Sequence, residues 1–308
     1  MPGRSNLRLP RPTHAHNGYV GLVQTQETYD AIVVGGGPAG LSAAEILGRS
    51  CRSVLVLDDG RPRNAASYRL SGFLSRDGTP PQQLLAIARR ELAKYPSVVL
   101  RDAHASAAQR EGETFRVDTG DGSSFSGRRL LLATGVYDAL PDIPGLADEW
   151  GKRVFVCPYC DAWEVRGKRL GVIGRDGSAQ ELARELRQWS SDLVVCAQDS
   201  VASVESAGEQ PLQMHLKNGG TESCDAIFLC VPLRQRSPLV DMLGCKRRDD
   251  GHIEVDAYGR TSVPGCYAAG DAAARIHQVV LAAASGVAAG IGINEDLVER
   301  DAKQVVDS

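Results

Sequence analysis

The chain reads Asp30-Ala31-Ile32-Val33-Val34-Gly35-Gly36-Gly37-Pro38-Ala39-Gly40 and continues in an Ala/Leu-rich segment through Leu47. A short β-branched apolar run, a glycine turn and a helical segment, in that order, make a strand-turn-helix unit. In such a unit Gly35 admits the tight turn, Gly37 lets the backbone approach a pyrophosphate, and Gly40 lets the helix pack on the strand. The helix start at Pro38 and Ala39 then turns its N–H groups toward the phosphates. A second apolar run, Ser53 to Leu57, ends at Asp58, about twenty residues on, where a carboxylate accepts from a ribose hydroxyl. Glycines alone are weak evidence; strand, helix and acid in register predict a dinucleotide-binding unit.

Downstream, Gly60-Arg61-Pro62-Arg63-Asn64 lies just past the ribose-binding strand, where a flavin ring would extend, so Arg63 and Asn64 are read as cofactor contacts. The pattern predicts an amphipathic helix from Gln82 to Lys94 and a small antiparallel meander over residues 98–128. Leu130 to Gly135 reads as a buried strand ending in a small-residue turn, with Thr134 and Gly135 at the cofactor. After Pro141-Asp142-Ile143-Pro144-Gly145 the pattern restarts, which marks a hinge. Arg169 to Ile173, then Gly174-Arg175-Asp176-Gly177-Ser178-Ala179, then a helix from Gln180 to Trp189, repeat the strand-turn-helix order. Here Asp176 replaces the middle glycine, and its carboxylate would crowd and repel a pyrophosphate. The next strand, Leu193 to Cys196, runs into Ala197-Gln198-Asp199-Ser200, with no Arg for the 2′-phosphate of NADPH. NADPH binding is therefore doubtful, the counter-reading being that Asp199 accepts from the ribose of NADH. From Gly259 the first domain resumes. Thr261 to Asp271 is a strand ending in Gly270-Asp271, and a small-residue helix begins near His277-Gln278. Asp271 is placed to bond a ribityl hydroxyl, and the helix start to set its positive end at the flavin pyrimidine edge.

Between the two units stands Cys157-Pro158-Tyr159-Cys160-Asp161. Two Cys at this spacing suit a zinc half-site or a thiol-disulfide exchange centre. A zinc ribbon needs a second such pair, and the other six cysteines are scattered singly. Two ordinary buried cysteines are the plain alternative. Asp161 and the neighbouring nucleotide motif favour a redox-active pair facing a flavin, with no metal.

At 308 residues the chain is long enough for two domains, and 43% apolar with 24% charged residues is a globular composition. A net charge of -3 gives no general electrostatic reason to bind nucleic acid or anionic lipid. No stretch reaches the roughly 18 to 20 apolar residues of a membrane span; the nearest, Val279 to Ile293, reads as a tightly packed internal helix. Residues 1–27 lack the apolar centre of a secretory signal and read as a disordered extension. The cysteines are then expected in a reducing cytoplasm.

Gly35-x-Gly37-x-x-Gly40, Ala133-Thr134-Gly135, Cys157-x-x-Cys160-Asp161 and Ala268-Ala269-Gly270-Asp271 together resemble the low-molecular-weight thioredoxin reductase family in order and spacing. The resemblance implies an α/β fold of two Rossmann-like, three-layer domains, the second inserted into the FAD-binding domain, and a homodimer. Carried onto this sequence it implies an FAD domain at 28–139 and 256–308, an inserted module at 140–255, Cys157 as the exchange thiol and Cys160 as the charge-transfer thiolate. Asp161 matches the family's acid beside the second Cys, and Asp161 or His277 is expected to move protons. Asp176 and Ala197 to Ser200 depart from the family pattern. A branch with the same architecture is more similar: the flavin-dependent dithiol oxidases that close disulfides in sulfur-containing natural products such as gliotoxin, holomycin and romidepsin. That resemblance implies a small dithiol substrate and O2 as the electron acceptor, with NADPH- or NADH-dependent and ferredoxin-dependent disulfide reductases, and a non-catalytic redox sensor, as the competing readings.

Overall fold

The computed structural model describes residues 28–306 apart from Asp176 and Glu209. The extension expected over residues 1–27 and the crowding expected from Asp176 lie outside the described residues. The apolar run forms β1 (Thr28–Val34), turns into α1 (Pro38–Arg49) and returns as β2 (Val54–Asp58). Then come α2 (Pro81–Leu92), β3 (Val98–Asp102), β4 (Ala105–Glu111), β5 (Thr114–Thr119) and β6 (Ser124–Leu132). β7 (Val136–Asp138) leads to β8 (Val154–Phe155), the single-turn α3 (Pro158–Asp161), β9 (Leu170–Gly174), α4 (Ser178–Leu186) and β10 (Leu193–Ala197). β11 (Val201–Glu205), β12 (Leu212–Leu216) and β13 (Thr221–Cys224) precede β14 (Ala226–Leu229) and β15 (Leu233–Gln235). The short α5 (Leu239–Met242), β16 (Cys266–Ala268) and the long α6 (Val279–Val306) close the chain.

The first sheet runs β3-β2-β1-β6-β5-β4, with β16 beside β6. β1, β2, β3, β6 and β16 are parallel, and β4-β5-β6 antiparallel. Alternate residues of its central strands serve opposite cores. Ile32, Leu55 and Leu130 lie in one buried cluster, and Val33, Val56 and Leu131 in the other. Burial on both faces is why these strands read as unbroken apolar runs. The second sheet, β10-β9-β14-β8, is also parallel and two-faced, with Ile173 and Ile227 on one side and Val172 and Phe228 on the other. β11-β12-β13 stand apart as an antiparallel meander. The fold is thus α/β with two Rossmann-like domains.

Three expectations change. The meander over 98–128 divides, because β3 joins β2 as the parallel edge strand and only β4-β5-β6 run antiparallel. The return to the first domain precedes residue 256. β7 pairs with β15, so the two connections lie side by side, and after Gln235 the residues Leu239, Val240, Cys245 and Ile253 share a core with Ile32. That segment shows no strand-turn-helix signal because its apolar residues sit on one helical turn and a loop. Finally, α6 runs well past Ile293, and by length and composition alone Val279–Gln304, with mean hydropathy 1.2, would suffice to cross a membrane. Its small residues instead seat it on α1: a Cβ added at Gly286 would lie 2.0 Å from the Ala39 carbonyl oxygen.

Candidate active site

The glycine turn after β1 is shaped by close approach. Gly35 adopts φ +108°, and a Cβ there would lie 2.3 Å from the Ala133 oxygen; at Gly40 it would lie 1.9 Å from the Gly35 oxygen. At Gly37 it would meet nothing within 4 Å. α1 starts at Pro38, with no side chain capping it and no acid in its first turn, so its N–H groups and its positive end are directed at that open space. The Thr134 hydroxyl is buried without a hydrogen-bond partner among the described residues, and Gly135, φ +66°, opens the turn beyond it. Gly270, φ +70°, closes on the Cβ of Ala39. An uncapped helix start, an open glycine and an orphaned buried hydroxyl fit the pyrophosphate and ribityl chain of FAD.

The carboxylates around this turn are more engaged than the sequence suggests. Asp58 lies against Gly36, and its Oδ2 pairs with Arg89 of α2, which leaves Oδ1 for a ribose hydroxyl. Arg63, read from sequence as a cofactor contact, forks onto Asp138 at 2.8 and 2.6 Å and reaches Asp271 Oδ2 at 3.1 Å. Burial works against its charge, but Asp138 and Asp271 overcome that and hold its pKa above the usual value. Asp271 accordingly accepts from Arg63 within a short 3-10 turn, Gly270–Ala272. Asn64 stays in the adjoining loop, where its carbonyl accepts from the Ser67 N–H. Arg89 and Asp138 were invisible in the sequence, since nothing local marks partners 31 and 75 residues apart.

Cys157 and Cys160 are joined as a disulfide, their Cα atoms 5.2 Å apart. Cys157 caps α3, and Pro158 takes the first helical position, where a missing N–H costs nothing. Gln278, expected at the cofactor, donates from Nε2 to Cys160 Sγ at 3.3 Å and to Cys157 Sγ at 3.7 Å. The start of α6, a first-domain element, therefore meets the cysteine pair of the inserted module. Burial is the main force that pushes Asp161 up to about 6; the Arg69 guanidinium opposes it and Glu164 adds to it. Arg69 and Glu164 pair across the two domains. Tyr159, between the cysteines, is 68% exposed and stacks edge-on against Trp189 at 5.6 Å.

The sequence pattern of the pyridine nucleotide-disulphide oxidoreductases matches residues 29–202 and 193–286. The chain belongs to that family. It is an oxidoreductase of a family of FAD-binding flavoproteins. Thioredoxin reductase tcpT of Claviceps purpurea is 31% identical over 301 residues, covering 87% of this chain and 94% of tcpT. Thioredoxin reductase sirT of Leptosphaeria maculans is 28% identical over 305 residues, covering 86% and 93%. The crystal structure of HlmI superposes with a TM-score of 0.85 at 34% identity over 91% of this chain and 96% of HlmI. Putative thioredoxin reductase TrxB from Bacillus anthracis gives 0.84 at 28% identity over 89% and 99%.

In this disulphide oxidoreductase the second glycine turn is built differently from the first. Gly174 is closed in by the Ser178 hydroxyl, 2.6 Å from an added Cβ, and Gly177 begins α4 with φ +82°. Beyond β10, Gln198–Ser200 coil into a 3-10 turn, and the Ser200 hydroxyl donates back to the Ala197 carbonyl at 2.7 Å. Among the described residues His277 makes no hydrogen bond to either cysteine. Its Nε2 lies 2.9 Å from the Ala274 carbonyl and 3.1 Å from His252 Nε2, a partner the sequence did not suggest.

Proposed function

We propose that this disulphide oxidoreductase is an FAD-dependent dithiol oxidase that closes an intramolecular disulfide in a small dithiol of the natural-product type. The observation that carries this reading is the closed Cys157–Cys160 pair held by Gln278 at the start of α6, on the side of the first domain that fits FAD. The 34% identity to HlmI over nearly the whole chain supports it further.

A substrate thiolate attacks Cys157 Sγ; the Cys157–Cys160 bond breaks, and Cys160 leaves as a thiolate. The second substrate thiol, once deprotonated, attacks the substrate sulfur of the mixed disulfide, and Cys157 leaves. The product is a cyclic disulfide, and the two electrons it has given up rest on the cysteine pair. The Gln278 amide, a donor to Cys160 Sγ, favours that thiolate over the thiol. Asp161, held up to about 6 by burial, is a proton carrier beside Cys160 that works near neutral pH. Exposed Tyr159 and Trp163 give an apolar substrate a surface next to the sulfurs. FAD, held by the Gly35 to Gly40 turn, Thr134 and Asp58, would supply the two-electron acceptor, with O2 as the final oxidant giving H2O2. The protein is read as a cytoplasmic homodimer, a reading supported by the exposed apolar residues Leu281, Ile291 and Val298 along α6.

A second reading, an NAD(P)H- or ferredoxin-dependent disulfide reductase, is favoured by the names that tcpT, sirT and TrxB carry. Cys160→Ser tests the shared core of both. It should leave FAD bound and yellow while turnover falls by at least about a thousandfold; full activity in that variant would contradict the scheme.

A further inference from the structure

Cys245 and Cys266 take no part in the scheme above, yet the fold brings their sulfurs to 3.9 Å in the core of the first domain. Backbone hydrogen bonds fix the meeting. The Cys245 N–H donates to the Val240 carbonyl at 3.0 Å, which closes the turn after α5, and the next N–H, of Lys246, donates to Ser262 Oγ at 2.9 Å. Cys266 opens β16 beside Leu130 of β6, and its carbonyl accepts from the Thr261 hydroxyl at 2.9 Å. Both backbones are thus pinned close to the sulfurs. A disulfide bond of about 2.0 Å then asks each sulfur to move about 1 Å, a displacement that side-chain rotation can supply.

The two thiols are not alike. Cys245 is 7% exposed and stands between exposed Gly244 and Lys246, whereas Cys266 is 1% exposed within the sheet. The Cys266 S–H is the first of the causes that bring the Cys245 thiol down to about 7, against its burial. The same contact, and burial after it, push Cys266 well above the ordinary thiol value. Near neutral pH Cys245 therefore supplies the thiolate that attacks an oxidant, and Cys266 keeps its proton.

We infer that Cys245 and Cys266 form a second redox pair, in which hydrogen peroxide oxidises Cys245 and Cys266 closes on it as a disulfide. In the first step the Cys245 sulfur attacks a peroxide oxygen; an S–O bond forms, the O–O bond breaks and water leaves. In the second the Cys266 sulfur attacks the sulfenic sulfur of Cys245; the S–S bond forms, the S–O bond breaks and a second water leaves with the Cys266 proton. Two thiols and one H2O2 give one disulfide and two waters. A sulfenic acid without a neighbouring thiol is open to further peroxide, and the sulfinic and sulfonic acids that follow are not undone by thiols. Cys266 halts the oxidation at a stage that a dithiol reverses. The purpose of the pair rests on the oxidase reading, which releases H2O2 at the FAD of the same domain; the chemistry needs only the peroxide.

Peptide mapping tests this on the FAD-loaded protein carrying Cys51→Ser, which removes the exposed thiol. The protein is treated with excess H2O2, quenched with catalase, alkylated in denaturant and digested with trypsin. Peptide 237–246 should appear joined to peptide 261–275, about 2 Da lighter than the two reduced peptides together and separated again by dithiothreitol. With Cys266→Ala added, Cys245 should carry two or three oxygens, at least about tenfold more often than in the parent. With Cys245→Ala added, Cys266 should remain a free thiol. The joined peptides are read in the parent protein, so a core variant that fails to fold leaves that result decisive. Unlinked Cys245 and Cys266 after peroxide, or equal sulfinic acid at Cys245 with and without Cys266, would overturn the pair. Joined peptides in a protein that makes no H2O2 from a dithiol and air would uphold the pair and defeat the oxidase reading.

Discussion

At the first glycine turn Gly37 faces open space, Gly35 and Gly40 are locked against backbone oxygens, and α1 begins with free N–H groups. At the second, the Ser178 hydroxyl crowds Gly174, α4 begins from a left-handed Gly177, and the residues beyond β10 bond back on themselves. Both turns join a parallel strand to a helix in a two-faced sheet. The shape of a nucleotide unit and the capacity to hold a nucleotide are therefore separate properties. The shape comes from continuous apolar strands buried on both faces and from close packing of strand on helix. The capacity needs vacant volume, uncapped donors and no like charge at the phosphates.

The comparison breaks most visibly at Gly40. Gly40→Val would drive a side chain into the Gly35 carbonyl, 1.9 Å from the added Cβ, so the variant should lose its FAD altogether, at a cost of about 3 kcal/mol or more in stability. The flavin-to-protein absorbance ratio of the purified variant checks this. The second turn offers the reverse experiment. Asp176→Gly removes the charge proposed to repel phosphates, and anaerobic bleaching of the flavin by NADPH should rise by about tenfold over the wild-type trace, with the dithiol reaction unchanged. No change would locate the defect elsewhere in the second unit, at Ala197 to Ser200.

A further effect, read as stability rather than turnover, is at Asp161, in the module that carries the second turn. Its pKa is about 6 in the folded protein, first because of burial, against about 3.9 in an unfolded chain. The folded state then binds the proton more tightly, so stability is greatest below about pH 4 and is lost as pH rises through 6. Asp161→Asn should remove that loss and stabilise the protein well above pH 6 by about 3 kcal/mol, with little change near pH 4. Urea midpoints at the two pH values measure the difference.

Much of this was legible in the sequence. The unbroken apolar runs around Ile32 and Leu131, the glycines at 35, 37 and 40, and the spacing of Cys157 and Cys160 are local signals. Each is fixed by sterics or by burial within a few residues. The rest depended on where distant segments meet. Gln278 sits 118 residues from Cys160, and only the crossing of α6 over the inserted module brings them together. Arg63 follows the ribose strand and reads as a cofactor contact; that Asp138, on the connection between domains, takes its guanidinium fork is set by a meeting of distant segments. The return of the chain at Leu239 to Ile253 escaped notice because those buried side chains follow no regular period.

The most direct test of the account is to mix the FAD-loaded protein anaerobically with NADPH, and separately with a small dithiol, while following the flavin absorbance. Bleaching by the dithiol but not by NADPH is expected, with H2O2 appearing once air is admitted. Rapid bleaching by NADPH would contradict it, and would make the second glycine turn a working nucleotide site and the protein a reductase.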